Sequence, residues 1–418
     1  MNLLNLRAES LLGSLKILCS KWAKLSGLGL GVSGLRWNLY GFLEFNHKVH
    51  GNLFVIGPNA VATANLEDCK LVLSTHSFTK ADMYQVFAVI TDTIIPTKSV
   101  ELAKTRRKQL APTLANSHIR QMEHTILDYG FKSIKQKWDT LLASSSTKET
   151  TVNYMEHLFL CAFDILGMYG FGQQFNALKE EKTEMIYRFG ECRKIVAARA
   201  IFGPLISYFP FSLYTRKASK SVNNFIAFAN NVIGNRRAMV KGGKAERPKD
   251  LLQNYMDTES PESTIKITPT QITVEPIVLY IGGVDTASET LVWALHYLML
   301  HPKAYKKAVY EARSKFSFDH VITYVEARES LPGGARVCPS KMLAHYKTLT
   351  ILANIVKNYD FSILQGALFK PDKVDESGNP IIMPIKQNST VGPENFKRDC
   401  RVVIKHVFNS GLEQCQQY

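Results

Sequence analysis

The sequence predicts a mainly α-helical protein with small β-sheets. Three observations carry that class. From Leu66 to Leu300 apolar residues recur at helical spacing, interrupted by polar joints such as Ala143-Ser144-Ser145-Ser146-Thr147 and Lys241-Gly242-Gly243-Lys244. Short apolar runs flank turn signals near the start and in the tail, which is the pattern of hairpins. The 418 residues are 45% hydrophobic and 21% charged, enough apolar material for a large core and too little charge for a disordered polymer. No internal repeat is visible.

Residues 1–45 form an N-terminal amphipathic segment, and residues 46–418 read as one large domain. Arg7, Glu9, Lys16, Lys21 and Lys24 interrupt the leucines, so no stretch there reaches the ~20 apolar residues of a membrane span. Leu4, Leu11, Leu15 and Leu18 share one helical face, which suits a helix lying on a membrane surface or an ordinary surface helix. Leu53 to Ile56, the turn Gly57-Pro58-Asn59 and Ala60 to Ala64 read as a hairpin. Ile201 to Phe211 is too proline-interrupted for one regular helix and too apolar for an ordinary solvated loop.

A long helix starts at Thr268, whose hydroxyl at the N-cap, with Pro269 in the first turn and Gln271 at the third position, makes a capping-box pattern. Pro302 stops it, so residues 269–301 would span ~50 Å, with a bend expected at Pro276. Ser340 to Tyr359 reads as another amphipathic helix, with Leu343, Leu349, Leu352, Ile355 and Val356 largely on one face. Ile381 to Ile385 and Arg401 to Lys405 read as a carboxy-terminal hairpin.

Charge and cysteine usage narrow the function. Lysine and arginine number 51 against 36 acidic residues, a formal charge of +15 that favours acidic partners or anionic lipid surfaces. No nucleic acid partner is expected, because the basic residues are dispersed and no motif interleaves them with aromatics. Cys19, Cys69, Cys161, Cys192, Cys338, Cys400 and Cys415 are odd in number and lack paired spacing, so neither a disulfide framework nor a zinc site is indicated. A reducing, cytosol-facing environment fits them best. There is no phosphate-binding Gly-rich loop ending in Lys-Ser/Thr, no Gly-x-Ser-x-Gly elbow and no His-Glu-x-x-His helix, and the eleven histidines are scattered.

Two short stretches carry chemistry. Gly282-Gly283-Val284-Asp285-Thr286-Ala287-Ser288 lies inside the long apolar helix, where paired glycines weaken the backbone ladder and leave an acid and a hydroxyl beside the gap. Such a pair suits proton delivery. Gly333-Gly334-Ala335-Arg336-Val337-Cys338-Pro339 puts a cysteine among glycines and beside an arginine, a setting in which backbone N–H groups can converge on the sulfur as a thiolate.

With these motifs in this order the chain resembles the cytochrome P-450 haem-thiolate monooxygenases. Glu101 to Leu114 is similar to the family's haem-propionate helix, Phe163-Asp164-Ile165-Leu166-Gly167 with Phe171-Gly172 to its next long helix, and His301-Pro302 to the turn after the oxygen-activating helix. The resemblance implies haem b, with Cys338 as the iron's thiolate ligand, which favours O–O cleavage. In the pattern Phe-x-x-Gly-x-Arg-x-Cys-x-Gly, Gly334, Arg336 and Cys338 match, while Leu331 and Ser340 stand at the Phe and final Gly positions. Arg336 and Arg107 would pair with haem propionates. Ala103 occupies the aromatic position four residues before Arg107, and Arg106-Arg107-Lys108 is a run of the kind that usually forms a solvated face. Gly282 and Gly283 would leave room for O2, Thr286 would hydrogen-bond it, and Asp285 would relay protons from water.

The resemblance further implies insertion of one oxygen atom into a small apolar organic substrate. Electrons would come from NADPH through a flavoprotein reductase, at the cytosolic face of the endoplasmic reticulum membrane. Ile201 to Phe211 would be the lid over the substrate entrance, or else a buried connection between helices. One departure stands out: Leu331-Pro332 is similar to the Leu-Pro preceding the family's Glu-x-x-Arg helix, yet Gly333 already begins the cysteine loop. The Glu-x-x-Arg helix, several strands and the meander beneath the haem are absent between residues 332 and 333, so the expected fold is a cytochrome P-450-like one, incomplete. Glu329-Ser330-Leu331-Pro332 copies the Glu-x-x-Arg spacing, but its proline has no side-chain donor. The competing reading is a non-catalytic, truncated monooxygenase-like protein that at most binds membrane or partners.

Overall fold

The computed structural model describes residues 39–57, 60–74, 79–88, 92–184, 186–191, 196, 213–241, 248–258, 268–327, 338, 340–387 and 391–407. The amphipathic segment of residues 1–24, the Ile201 to Phe211 stretch, Gly334 and Arg336 lie outside them.

Helix α1 (Leu39–His50) leads into the antiparallel pair β1 (Leu53–Gly57) and β2 (Ala60–Thr63), the hairpin read from the sequence. Phe42, Phe54 and Ala62 bury a small core between helix and hairpin. After α2 (Leu66–Ser74) comes α3 (Val100–Leu114), capped by the Ser99 side chain accepting from the Leu102 amide. Short helices α4 (Asn116–Gln121) and α5 (Glu123–Leu127) run through a wider turn at Asp128–Lys132 into α6 (Ser133–Ala143). Strand β3 (Glu149–Asn153) then starts α7 (Tyr154–Phe171), with the Asn153 side chain as N-cap.

Helix α7 is buried on nearly all sides, as its all-round apolar sequence requires. It stops at Gly172, which takes the left-handed φ of 60°; a Cβ there would lie 2.7 Å from Asp250 Oδ2. Arg236 of α8 (Leu213–Lys241) donates to both Asp250 carboxylate oxygens and to the Phe171 carbonyl. Asp250 also accepts from the Gln253 amide as N-cap of α9 (Leu251–Asp257), so one buried ion pair ties together the ends of three helices.

The long helix α10 (Pro269–Leu300) packs against α7 through the centre of the core. Tyr280 lies 5.2 Å from Phe163 and 5.5 Å from Phe171 between ring centroids, and its hydroxyl donates to the Phe163 carbonyl. The capping box forms: the Gln271 amide donates to Thr268 Oγ1, and the Thr268 amide to the Gln271 side chain. The helix runs unbroken through Pro276 to the C-cap His301, and Pro302 opens α11 (Pro302–Lys315). After α12 (Tyr324–Ala327), α13 (Lys341–Asn358) passes directly into β4 (Tyr359–Ile363).

The tail corrects one expectation. Strand β5 (Ile385–Gln387) pairs with β6 (Val391–Pro393), and after α14 (Phe396–Asp399) the strand β7 (Arg401–His406) lies between β3 and β4, antiparallel to both. Ile381–Ile385 and Arg401–Lys405 therefore do not form a hairpin with each other. Alternation marks both as strand-like, but β7 buries Val402 and Ile404 by joining a sheet whose other strands are over 30 residues away in sequence.

A second correction concerns the basic run. Arg106 is buried, its Nε 3.0 Å from Glu275 Oε1 though off hydrogen-bond alignment, and its Nη1 donates to Gln109. Burial holds Glu275 well above the usual carboxylate range, at about 7, although Arg106 opposes the shift.

Candidate active site

A cavity of about 560 Å³ opens between α3, α7, α10 and the amino-terminal end of α13. Helix α10 contributes Gly282, Gly283 and Thr286, which share a face by the i, i+1, i+4 spacing. Helix α3 contributes Ala103 and Arg107, one turn apart. From the opposite side come Cys338, Ser340, Leu343, Ala344 and Lys347. Leu166 and Tyr169 of α7 close part of the wall.

The α10 wall is tightly specified. A Cβ on Gly282 would meet nothing within 4 Å, whereas one on Gly283 would lie 2.8 Å from Leu166 Cδ1. One glycine leaves open space and the other permits close packing on α7. The Thr286 hydroxyl donates to the Gly282 carbonyl at 2.7 Å, which leaves its oxygen lone pairs as acceptors toward the cavity. Asp285 is buried and is not part of the cavity wall, although it neighbours Thr286.

The cysteine side is built differently. Cys338 is exposed, and its carbonyl accepts from the Lys341 amide at 3.1 Å as α13 begins. Ser340 is the N-cap but makes no side-chain capping bond. The two buried cysteines among the described residues differ in setting: burial pushes the Cys400 thiol up to about 12 and the Cys161 thiol higher still, as expected of inert core residues.

Sequence reading missed Lys347. This lysine is 2% exposed, and its ammonium donates to the Gly283 carbonyl at 3.1 Å across the cavity floor. Loss of solvent lowers its pKa to about 8, against the opposing influence of Cys161 and Cys338. The available signal was its spacing, four residues after Leu343 on the apolar face of α13. Lys80 and Lys98 also line the cavity, Lys80 donating to the Ile94 and Ile95 carbonyls.

Among the described residues the lining holds four cations, a single thiol and no carboxylate or histidine, in a wall that is otherwise mostly apolar. That donor set fits an apolar, planar haem with anionic propionates: a sulfur for the metal, cations at the edge and glycines where a ring face needs room.

The fold is that of a haem-thiolate oxidoreductase. The chain belongs to the cytochrome P450 family: that family's model, described as Cytochrome P450, matches residues 21–332. Among curated proteins the chain is 28% identical over 448 residues to cytochrome P450 monooxygenase helB1 of Aspergillus fumigatus, covering 88% of this chain and 77% of that protein. It is 26% identical over 440 residues to helB2 and 27% identical over 445 residues to helB3 of the same organism, covering 85% and 86% of this chain and 87% of each relative. The family places the chain among monooxygenases that use haem iron, O2, an organic substrate and a redox partner.

Proposed function

We propose that the chain is built as a monooxygenase that binds haem b through Cys338 and inserts one oxygen atom of O2 into a small apolar organic substrate. Electrons come from NADPH through a flavoprotein reductase, and the working site is the cytosolic face of the endoplasmic reticulum membrane. The observation that carries this reading is the single cavity that gathers Cys338, Gly282, Gly283, Thr286, Ala103 and Arg107 from separate parts of the chain. Haem, when bound, supplies the oxygen-activating redox chemistry. The chain's own groups have separable tasks. Cys338 offers the anionic sulfur, and Arg107, joined by Arg336 and Gly334 of the cysteine loop, binds the propionate edge and shapes the loop. Gly282 and Gly283 keep space open beside the ring. Thr286 accepts and passes a proton at its hydroxyl, and Asp285, buried next to it, replenishes that proton from behind the wall. The mostly apolar lining excludes water from the substrate.

No helix among the described residues is long and apolar enough to cross a membrane, so contact with the bilayer would fall to the amphipathic face of residues 1–45.

A second reading, a non-catalytic truncated protein, has its own support. The alignments to the three relatives run to 448, 440 and 445 positions while covering only 88%, 85% and 86% of a 418-residue chain, so the relatives carry residues inside the matched span that this chain lacks. A carbon monoxide difference spectrum of the reduced protein separates the readings. We expect a weak thiolate-type signal from the chain as it stands and a strong one once a family-like segment is inserted between Pro332 and Gly333. No signal from either protein would sink the monooxygenase reading. In a preparation that binds haem, Thr286→Ala keeps the spectrum and uncouples oxygen consumption from product; loss of the spectrum instead would remove the proton role of Thr286.

A further inference from the structure

The haem reading leaves the placement of Lys347 unexplained. A leucine or methionine would fill its position on the apolar face of α13 without the cost of withdrawing an ammonium from water. The hydrogen bond it makes among the described residues is to a main-chain carbonyl, that of Gly283, on the facing helix. In an α-helix that carbonyl also accepts from the amide four residues on, here Ala287, so the lysine engages the oxygen's second lone pair. The preceding carbonyl, Gly282, is engaged in the same way by the Thr286 hydroxyl. Two successive carbonyls of the glycine pair therefore carry an added side-chain donor, one from their own helix and one from the wall that bears Cys338. Gly283 is also the residue packed onto Leu166, so α7, α10 and α13 meet at this peptide.

We infer that Lys347 is a positioning residue: its bond to Gly283 sets the separation between the wall that carries Thr286 and the wall that carries Cys338. The inference rests on the monooxygenase reading for its consequence in turnover, but not for the strut itself, which belongs to the haem-free chain as well. The bond joins α13 to α10 about two turns after Ser340, where the two helices also pack against each other.

The test is amide hydrogen exchange on the full haem-free chain, comparing wild type with Lys347→Met, which keeps the stem and removes the donor. Exchange at residues 282–287 is expected to accelerate at least tenfold while the rest of α10 and all of α7 stay as protected as before. Lys347→Arg, which keeps a donor, restores the protection. Unchanged protection at residues 282–287 in the Met variant, or one uniform acceleration across every helix, would overturn the inference; so would equal local loss in the Arg variant. Failure of the Met and Arg variants alike to fold would also overturn it, by making Lys347 a packing residue. In preparations that bind haem, Lys347→Met keeps the thiolate-type spectrum and sends a several-fold larger share of consumed oxygen to peroxide. A local exchange effect combined with no haem signal in any preparation confirms the strut and rejects the monooxygenase reading, so the two failures are distinguishable.

Discussion

The two facing walls of the cavity are held by different means. Helix α10 enters with a complete capping box, crosses the core against α7 with Tyr280 wedged among aromatic rings, and leaves through a capped His301-Pro302 turn. Helix α13 is equally secure at its far end, where Arg313 donates to the Val356, Lys357 and Tyr359 carbonyls and Asn354 pairs with both the amide and carbonyl of Ile322. Its near end, which carries Cys338, has no side-chain cap and an exposed sulfur. The difference follows the family match: the secure wall lies within residues 21–332, and the lightly held cysteine lies beyond them. Packing on α7 therefore anchors most of the oxygen side without help from the cysteine itself, and stability and cofactor binding should separate when the cysteine is mutated.

The largest expected effect tests that separation directly. Cys338→Ala should abolish the thiolate-type spectrum completely in a haem-binding preparation, yet leave the urea midpoint of the haem-free chain nearly unchanged, because an exposed cysteine contributes little buried surface. A lowered midpoint would show that the cysteine end is more firmly packed than the comparison holds.

On the secure wall, Arg106→Met should cost about 1–2 kcal/mol at pH 8, because it leaves the Glu275 carboxylate buried without its cation until the carboxylate takes up a proton. The cost should shrink below pH 7, where Glu275, already raised to about 7, takes up a proton and loses its charge. A cost independent of pH would mean that packing, and not charge, is what Arg106 supplies.

Two histidines, His296 buried and His157 half-buried, give the core a pH signature. Trp138 donates to His157 Nδ1 and the Met383 amide donates to His296 Nε2, so both rings serve as acceptors and must be neutral. Burial lowers each to about 4 from 6.5. Below 6.5 the unfolded chain binds more protons than the folded one, so this stability is full above 6.5 and is lost as pH falls toward 4. The loss between pH 7 and pH 5 should be about 2 kcal/mol per ring, read from urea midpoints, and His157→Gln and His296→Gln should each flatten the slope. An unaltered slope in both variants would place the acid sensitivity elsewhere.

The smallest effect contrasts the two helix starts. Thr268→Ala should cost about 1 kcal/mol, whereas Ser340→Ala, at an N-cap without a side-chain bond, should stay within a few tenths. Equal costs would erase the difference between the two walls.

The local features of this protein were legible in its sequence. The capping box at Thr268, the stop at Pro302, the hairpin around Gly57 and the helix beginning after Ser340 depend on neighbours within a few residues, and each lies where periodicity and turn chemistry put it. Motif order likewise pointed to the family that the comparison with known proteins identifies. What the sequence could not determine depends on residues far apart in the chain. Alternation makes Arg401–His406 a strand, but only the assembled sheet chooses β3 and β4 as its partners. A basic run looks solvated until Glu275, on another helix, arrives beside Arg106. Spacing put Asp285 and Thr286 together, while helix rotation in the packed core turned Thr286 to the cavity and Asp285 away from its wall. A lysine on an apolar stripe became a cross-cavity donor only because α10 presents a bare glycine carbonyl opposite it. Hydrogen-bond periodicity acts along a few residues of chain, whereas burial and facing partners are properties of the packed whole.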